Sequence, residues 1–437
     1  MIFRVLKSLY RFGVLEGLRS SFSGSARPCG IGFPLMLRKG VLSVGPRGLP
    51  LTLKTGVVRR LVREAREIDI VLSMLWGGGA AKYLDARIAE APAGRLTFVV
   101  RPCLDAGGRL AVEAYRGPEK RAEFFVRSLS AFRGLRGLNA RIVVNELAQW
   151  WLYDRSGELS SRAMSAAIDS ILDLRAAIDA RIVYLVHDYL SVCPRFTLLS
   201  PAGVYCGAET GTAGCGKCLA DARCANVPIA KGTSREEWLA AFGRLFAAAA
   251  EVRTFSEDTR SRIARVFPGV HPTLVPHRAL AAFPRRPSLR SGPPTIGVFG
   301  FIQLAKGSAQ VLALAEYLRS IGEDDARIAV VGEIVTGSGD IPPNVTMTGA
   351  YAHEDLPAII EREGINVAYF SSVCPETFSF VTRELIALGL PVVCHDLGAP
   401  RDAVAKYDRG EIASSFAPRD VYVAVKRALE RGGRRGN

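Results

Sequence analysis

The chain has 437 residues, of which 49% are hydrophobic and 23% are charged. At about 150 residues per domain this length allows two or three domains, and the apolar content is sufficient for ordinary cores, which excludes wholesale disorder. Lysine and arginine outnumber aspartate and glutamate by 57 to 42, giving a net charge of +15. This excess favours a polyanionic partner: nucleic acid, anionic lipid or a phosphate-bearing substrate.

The first 25 residues have the pattern of a basic amphipathic helix. Two faces recur at spacings of three and four residues, the basic Arg4, Lys7 and Arg11 and the apolar Ile2, Val5, Leu9 and Phe12. Such a helix either lies on an anionic membrane surface or packs on the protein with a solvated basic face. No apolar run reaches the length of a membrane span, and no separate apolar signal segment is visible. We therefore expect a cytoplasmic chain, peripheral on the inner face of the cell membrane if the helix is an anchor.

From about residue 65 onward, short β-rich runs alternate with helical patterns, which is typical of parallel sheets covered by helices. A Pro- and Arg-rich stretch, AAFPRRPSLRSGPP at residues 281–294, interrupts the alternation and resembles an inter-domain linker. The predicted fold is α/β, with two doubly wound, Rossmann-like domains that face a cleft. We expect an N-terminal extension at residues 1–60, a first domain at residues 61–285 and a second domain at residues 286–437.

The segment PETFSFVTRE places two glutamates, Glu376 and Glu384, on either side of a predicted strand-to-helix turn. The amides of Thr377, Phe378 and Ser379 are then expected at a helix N-terminus, where unsatisfied N–H groups and the positive end of the helix dipole favour a phosphate. The pattern indicates a diphosphate cradle flanked by two carboxylates. Alternatively, both glutamates are ordinary N-terminal acids stabilised by the helix dipole.

This segment, followed by ALGLPVV, resembles the E-x7-E signature of GT-B glycosyltransferases of family 4, which are retaining enzymes and need no catalytic metal. The resemblance extends over about residues 65–415. It implies that Glu376 contacts the donor sugar, that Glu384 contacts the ribose, and that the amides of residues 377–379 hold the diphosphate of a nucleotide-sugar.

A second family motif follows the first predicted strand of the second domain and reads GFIQLAKG, from Gly300 to Gly307. The resemblance places Gly300 at the cofactor-binding loop and Lys306 where a lysine neutralises the leaving diphosphate. Phe301, however, stands where many members have an arginine. Losing one cation reduces the charge stabilisation of the departing group.

Two stretches of the first domain carry candidate site residues. Gly77, Gly78 and Gly79 follow a predicted strand and resemble the family's glycine-rich first loop, which faces donor and acceptor. His187 follows the strand RIVYLV, so its imidazole is expected at the carboxyl edge of the sheet. The surrounding HDYLSVCPR resembles a subset of the family associated with bacterial polysaccharide and O-antigen assembly, which implies a hydrogen-bonding role for His187 beside the transferred sugar.

A cysteine-rich insert spans residues 193–224. Cys193, Cys206, Cys215 and Cys218 include one C-x2-C pair, and four thiolates of this kind can hold a tetrahedral structural zinc. Buried thiols or adventitious disulfides are the alternatives. Zinc at this insert is the only metal that the sequence predicts.

Together these features predict a retaining glycosyltransferase that moves a sugar from a nucleotide-sugar to a lipid-linked glycan in bacterial surface polysaccharide assembly. Two alternatives remain open: a catalytically silent GT-B scaffold, which Phe301 favours, and a nucleotide-sugar epimerase. Nucleic-acid binding is not expected, because no aromatic-basic strand pattern or groove-reading helix is present.

Overall fold

The computed structural model describes residues 51–433 apart from residues 75–77, 103–108, 149, 151–157, 208–210, 212–213, 222, 224–227, 276, 278–282, 284 and 336–339. The N-terminal amphipathic pattern, Gly77 and Cys224 lie outside the described residues. Two α/β sheets make up the fold, one of eight strands and one of six.

The first sheet occupies the part of the chain before the Pro- and Arg-rich stretch, and helices cover it. Its strands are β1 (Glu67–Leu72), β2 (Arg95–Pro102), β3 (Leu110–Arg116), β4 (Glu119–Val126), β5 (Ala140–Val144), β6 (Arg181–Leu185), β7 (Ala249–Thr254) and β8 (Thr273–Leu274). Its helices are α1 (Leu51–Glu64), α2 (Gly79–Ala89), α3 (Ser161–Ile178), α4 (Cys215–Ala220), α5 (Arg235–Ala248) and α6 (Glu257–Val266).

The second sheet is parallel throughout. Its strands are β9 (Thr295–Ile302), β10 (Arg327–Ile334), β11 (Val345–Met347), β12 (Val367–Phe370), β13 (Val392–His395) and β14 (Gly410–Ala413). Its helices are α7 (Ser308–Ser320), α8 (Leu356–Glu363), α9 (Phe380–Ala387), α10 (Gly398–Val404) and α11 (Pro418–Gly433). The predicted limit between residues 285 and 286 lies in the connection from β8 to β9.

Both sheets are buried on both faces, which explains why their central strands read as continuous apolar runs. Ile70, Val71 and Leu72 of β1 are completely inaccessible to solvent, although neighbouring side chains on the strand point to opposite faces. Separate apolar clusters pack on the two faces of each sheet. The predicted fold class, two Rossmann-like domains, is thereby confirmed.

The first sheet is not wholly parallel. Strands β2, β3 and β4 pair antiparallel and extend the sheet beyond β1 as a meander. The sequence pattern did not predict β3 and β4. The side chains of β3 (LAVEAYR) alternate between buried and partly exposed positions, and those of β4 (EKRAEFFV) are all exposed or partly exposed. Both strands therefore lack the continuous apolar run by which the parallel strands were found.

Strand order locates the place where each sheet can bind a ligand. The second sheet has the order β11-β10-β9-β12-β13-β14, so chain direction across the sheet reverses between β9 and β12. In the first sheet the order β4-β3-β2-β1-β5-β6-β7-β8 reverses between β1 and β5. Ligands of doubly wound folds bind outside the carboxyl ends of the strands at such points.

Candidate active site

The loops that follow β9 and β12 are tied together by backbone contacts. The hydroxyl of Ser371 donates to the carbonyl oxygen of Lys306 at 2.6 Å, and that of Ser372 donates to Ala305 at 3.0 Å. Gly307 has φ +82°, and a Cβ at this position would overlap the carbonyl oxygen of Ser371. Only a glycine that tolerates this conformation lets the two backbones approach so closely.

This contact brings the predicted Lys306 and Glu376 side chains together at the switch point of the second sheet. The Lys306 ammonium donates a hydrogen bond to Oε1 of Glu376 and forms an ion pair with it. Burial lowers the pKa of Lys306, but the charge and hydrogen bond of Glu376 raise it, and the resulting pKa lies above the usual lysine value. Lys306 is therefore a permanent cation, and 41% of its side chain remains open to solvent and to ligands.

A third loop fixes the backbone of Glu376. The amide of Ala399, in the first turn of α10, donates to the carbonyl oxygen of Glu376 at 2.8 Å. Gly398 has φ +69°, and a Cβ there would lie 2.5 Å from the amide nitrogen of Glu376. The loops after β9, β12 and β13 thus hold the Lys306–Glu376 pair in one arrangement.

The helix after Glu376 begins later than the sequence predicted. Ser379 is its N-cap and accepts a hydrogen bond from the amide of Thr382 at 3.2 Å, so α9 starts at Phe380. Thr377 and Phe378 lie in the turn before the cap. The unsatisfied amides at the helix N-terminus are therefore those of Ser379, Phe380 and Val381, so the helix start differs from the prediction. The role of residues 377–379 in holding the diphosphate stays a prediction.

Glu384 lies inside α9 and is buried, as its place in the signature requires. Its Oε1 is 3.3 Å from Nδ1 of His353 and 3.9 Å from Nζ of Lys82, which comes from α2 of the first domain. Burial and the charge of Glu384 raise the pKa of Tyr351 to about 12. Glu384 therefore presents a carboxylate at the meeting point of the two domains.

Gly300 is part of β9 instead of the loop that follows it. It has φ +109°, and a Cβ on Gly332 of the neighbouring β10 would overlap the carbonyl oxygen of Gly300. Phe301 is also in β9 and is partly buried. The carboxyl ends of β9 and β10 thus depend on glycines for their close approach.

The sequence of this region matches the family model described as glycosyl transferases group 1, over residues 282–436. The match covers the second domain and the Pro- and Arg-rich stretch before it. The match contains Lys306, Glu376 and Glu384, so the part of the site that the second domain contributes lies within the matched region, called the group 1 domain below. No curated protein matches the chain at a significant level.

Two solved structures resemble the chain over both domains. Sucrose-phosphate synthase from Thermosynechococcus elongatus is 16% identical with a TM-score of 0.52, over 84% of this chain and 92% of that one. The catalytic domain of starch synthase IV from Arabidopsis thaliana, bound to ADP and acarbose, is 10% identical with a TM-score of 0.51, over 85% and 93%. At these identities the likeness establishes the GT-B fold.

His187 faces the group 1 domain from the first sheet. Its carbonyl oxygen accepts a hydrogen bond from the Thr377 hydroxyl at 2.7 Å, and Thr259 Oγ1 lies 3.3 Å from the carbonyl oxygen of Thr377. The imidazole ring of His187 stacks on the ring of Phe255, with 4.6 Å between the ring centroids. Burial and nearby His277 lower the pKa of His187 to about 3, so the imidazole is neutral at physiological pH.

His277 is a site residue that the sequence pattern did not single out. Its ring centroid lies 4.0 Å from that of Phe378 and 4.9 Å from that of Tyr83. Burial and the charge of Arg383 lower its pKa to about 4. Nε2 of His277 and Nε2 of His187 are both buried without a hydrogen-bond partner in the described part of the chain. Its position three residues after the short edge strand β8 was the only available sequence signal.

The glycine-rich loop of the first domain also meets the group 1 domain. Gly78 has φ +113° and precedes α2, and a Cβ on Gly79 would lie 3.3 Å from the ring of Phe380. Lys82 in the same helix is 6.0 Å from the Phe380 ring centroid. Gly78 and Gly79 thus allow α2 to approach the start of α9.

Two cysteines of the insert, Cys206 and Cys218, lie close enough to Cys193 to affect its pKa. Burial and the charges of Cys206 and Cys218 raise the pKa of Cys193 to about 12, and Cys215 acts on Cys218 in the same way. The buried Arg195 guanidinium ties the insert down through the carbonyl oxygens of Cys218 and Arg223, each at 2.9 Å. Among the described residues, no three His, Cys, Asp or Glu side chains are arranged to hold a metal ion. The zinc site at Cys193, Cys206, Cys215 and Cys218 stays a prediction.

None of the described helices is both long and apolar enough to span a membrane.

Proposed function

We propose that the protein is a retaining glycosyltransferase that transfers a sugar from a nucleotide-sugar donor to a lipid-linked glycan in bacterial surface polysaccharide assembly. The observation that carries the proposal is the Lys306–Glu376 pair. A cation and a carboxylate are held side by side at the switch point of a glycosyl transferases group 1 domain, opposite His187. This is the place where a doubly wound sheet binds a nucleotide.

The donor diphosphate fits between Lys306 and the N-terminus of α9. Lys306 supplies a full positive charge, and the amides of Ser379, Phe380 and Val381 supply N–H donors together with the positive end of the helix dipole. Glu384, at the junction of α2 and α9, is placed to accept hydrogen bonds from the ribose hydroxyls. These groups provide the positive charge that other transferases take from a metal ion, which supports metal-independent transfer.

The proposed reaction is a front-side displacement at the anomeric carbon. The bond from this carbon to the diphosphate oxygen breaks, and the acceptor oxygen bonds to the carbon on the same face. The acceptor proton passes to the departing phosphate oxygen. Lys306 and the helix amides stabilise the charge that develops on that group, which is usually the largest contribution to catalysis.

Glu376 and His187 orient the sugar in this mechanism. When the donor binds, its diphosphate takes up part of the Lys306 charge, and Glu376 then accepts a sugar hydroxyl. His187 is neutral, so it offers one N–H donor and one acceptor nitrogen to hydroxyls. Thr377 joins the two sides, because its hydroxyl binds the carbonyl oxygen of His187 while its backbone follows Glu376 directly.

The net charge of +15 supports an acceptor at an anionic membrane surface, where polyprenyl phosphates and inner-leaflet lipids are both negative. The basic amphipathic pattern at the N-terminus supports the same placement. We accordingly propose peripheral association with the inner face of the cell membrane.

A catalytically silent scaffold is the second candidate, and Phe301 favours it. The phenylalanine lies in β9, five residues before Lys306, and replaces an arginine of many family members. Such a scaffold keeps the fold without binding a donor.

Ligand-induced thermal stabilisation separates the two candidates. We would test UDP, ADP, GDP and the corresponding nucleotide-sugars on the wild-type protein and on Lys306→Ala, with the exposed Lys406→Ala as the matched control. A ligand at 100 times its Kd adds about 2.7 kcal/mol to the stability. We expect one nucleotide to stabilise the wild type and Lys406→Ala, and to stabilise Lys306→Ala much less. No stabilisation by any of them would favour the scaffold.

A further inference from the structure

The carboxyl edge of the first sheet holds a pair of acids that the mechanism above does not use. Glu146 follows β5 by two residues, and Asp188 follows β6 by three, directly after His187. Strands β5 and β6 are neighbours, with Val144 paired to Tyr184. Glu146 also lies beside the switch point, because Val144 pairs with Leu72 of β1 on its other side.

The backbone amide of Glu146 has a hydrogen-bond partner, but one oxygen of its side chain has none in the described part of the chain. Its amide donates to the carbonyl oxygen of Leu72 at 3.1 Å. The residue is 8% exposed, and its Oε2 is buried without a hydrogen-bond partner in the described part of the chain. The preceding Asn145 is 1% exposed and also has an unpartnered side-chain oxygen. Its Nδ2 donates to the hydroxyl of Ser73 at 3.3 Å, but its Oδ1 has no partner among the described residues.

The charged side chains around Glu146 do not stabilise its ionised form. Burial and then the charge of Asp188 raise the pKa of Glu146 well above the usual range. Burial also raises the pKa of Asp188 to about 6, although its Oδ1 accepts a hydrogen bond from the amide of Leu190 at 2.9 Å. Tyr184 on β6 is also raised in pKa, by burial and then by Asp188. Among the described residues, Arg101 on β2 lowers the pKa of Glu146, but its guanidinium is already paired with Glu113.

At the opposite end of the same sheet, a buried carboxylate has arginine partners, which makes it a useful comparison with Glu146. Asp69 of β1 is 1% exposed, and it accepts hydrogen bonds from Arg141 at 2.8 Å and from Arg87 at 3.1 Å. A buried carboxylate without such partners costs stability, so its presence at a ligand edge indicates that a ligand supplies the missing donors.

We propose that Glu146 and Asp188 accept hydrogen bonds from hydroxyl groups of the acceptor sugar. This inference rests on the proposed function and names the acceptor subsite. A neutral polyol fits the chemistry, because O–H groups donate to carboxylates and because two neighbouring acids repel a phosphate. The location also fits, since Asp188 adjoins His187, which faces the transferred sugar.

The test compares Glu146→Gln with Asp69→Asn, a buried carboxylate of the same sheet that has its partners. Melting temperatures are measured at pH 7.5 without ligand, then with the stabilising nucleoside diphosphate, and then with that nucleotide plus methyl α-glucoside, methyl α-galactoside or methyl α-mannoside. We expect Glu146→Gln to melt higher than the wild type, by about 2 °C or more. At pH 7.5 a carboxyl group of raised pKa must either be buried in its charged form or take up a proton on folding, and glutamine avoids this cost. Asp69→Asn is expected to melt lower.

We also expect a methyl glycoside to stabilise the nucleotide-bound wild type and Asp69→Asn, but not Glu146→Gln. The proposal is overturned if Glu146→Gln melts lower than the wild type, or if the wild type and Glu146→Gln respond equally to the glycosides, including no response in either. Stabilisation by the nucleotide alone should be the same in Glu146→Gln and the wild type. Its absence in the wild type would instead count against the proposed glycosyltransferase.

Discussion

The two sheets present opposite kinds of edge to the cleft between them. At the edge of the second sheet, charged side chains have partners within the protein: Lys306 forms an ion pair with Glu376, and Oε1 of Glu384 lies 3.3 Å from Nδ1 of His353. At the edge of the first sheet, Glu146 and the two histidines His187 and His277 keep buried polar atoms that lack partners among the described residues. Unpartnered buried atoms also occur at the second edge, Oε1 of Gln303 and Nδ1 of His395, so the difference lies in the acids: Glu376 and Glu384 have side-chain partners, whereas Oε2 of Glu146 has none among the described residues.

This difference follows from what each edge has to bind under the proposed function. A nucleoside diphosphate is the same in many donors, so a rigid cradle of lysine, glutamate and helix amides serves any member of the family. Acceptors differ between enzymes, and their hydroxyls are recognised by polar groups that stay unsatisfied until binding.

The largest expected effect is on catalysis at the second edge. Lys306→Ala and Glu376→Gln should each lower transfer by a hundredfold or more, about 3 kcal/mol in transition-state stabilisation, because each removes one half of the assembled pair. Steady-state rates with the nucleotide-sugar identified by thermal stabilisation provide the measurement. Lys406→Ala, with an exposed lysine of the same domain, should retain its rate. Unchanged rates in both site variants would remove this site.

A second prediction asks whether close backbone packing assembles that edge. Gly307→Ala and Gly364→Ala both force alanine to a positive φ, +82° and +69°, but a Cβ at Gly364 meets nothing within 4 Å, whereas one at Gly307 overlaps Ser371. Both variants carry a conformational strain of about 1 kcal/mol. Gly307→Ala should lose about 1 to 3 kcal/mol more, because the loops must move apart. Urea unfolding measures the difference, and equal losses would show that packing against Ser371 is unimportant.

The edge of the second sheet is also the part of the site that the sequence predicted. Lys306, Glu376 and Glu384 lie in local motifs whose spacing is set by one strand, one turn and one helix, and the structure brings them to one switch point. The start of α9 was misplaced because Ser379, and not the preceding turn, caps the helix. Thr377, two residues before Ser379, is also a residue type that caps helices, and the sequence pattern alone does not show which of the two is the N-cap.

The edge of the first sheet was largely missed, for a physical reason. Glu146 and His277 have no short-range motif, because each acquires its role from strands that are distant in the chain. The burial of Glu146 depends on β1 and β6, and that of His277 depends on Phe378 from the other domain. The antiparallel β3 and β4 were missed because neither has the continuous apolar run of a strand that is buried on both faces. Non-local pairing determines all of these features.

A third prediction exploits the neutral histidines at the edge of the first sheet. His187 and His277 have folded-state pKa values of about 3 and about 4, below the value of 6.5 expected when unfolded. Below pH 6.5 these histidines bind protons in the unfolded chain but stay neutral in the folded protein. Their contribution to the free energy of unfolding is therefore fully present above pH 6.5 and is lost as the pH falls toward 4. His277→Gln should be less stable than the wild type at pH 7.5, since ring contacts are lost.

Because glutamine does not titrate, the stability gap between His277→Gln and the wild type should narrow by about 1 kcal/mol per pH unit between pH 6 and pH 5. Glu146 and Asp188 titrate in both proteins, and their effect largely cancels in the difference. Denaturant unfolding at several pH values measures the gap, with the exposed His271→Gln as the matched control. A gap that stays constant with pH would mean that His277 is protonated in the folded protein.

The smallest expected effect concerns the contact that joins the two edges. Thr377→Val keeps the shape of the side chain but removes the hydrogen bond to the carbonyl oxygen of His187, at a cost of about 1 kcal/mol. The exposed Thr346→Val in β11 of the same domain is the control and should leave the stability unchanged. If the edges are independent in what they bind, stabilisation by the nucleoside diphosphate should survive in Thr377→Val, while transfer falls because the sugar is no longer held between Glu376 and His187. If nucleotide binding falls as well, the second edge is not assembled by its own loops, and the distinction between the two edges does not hold.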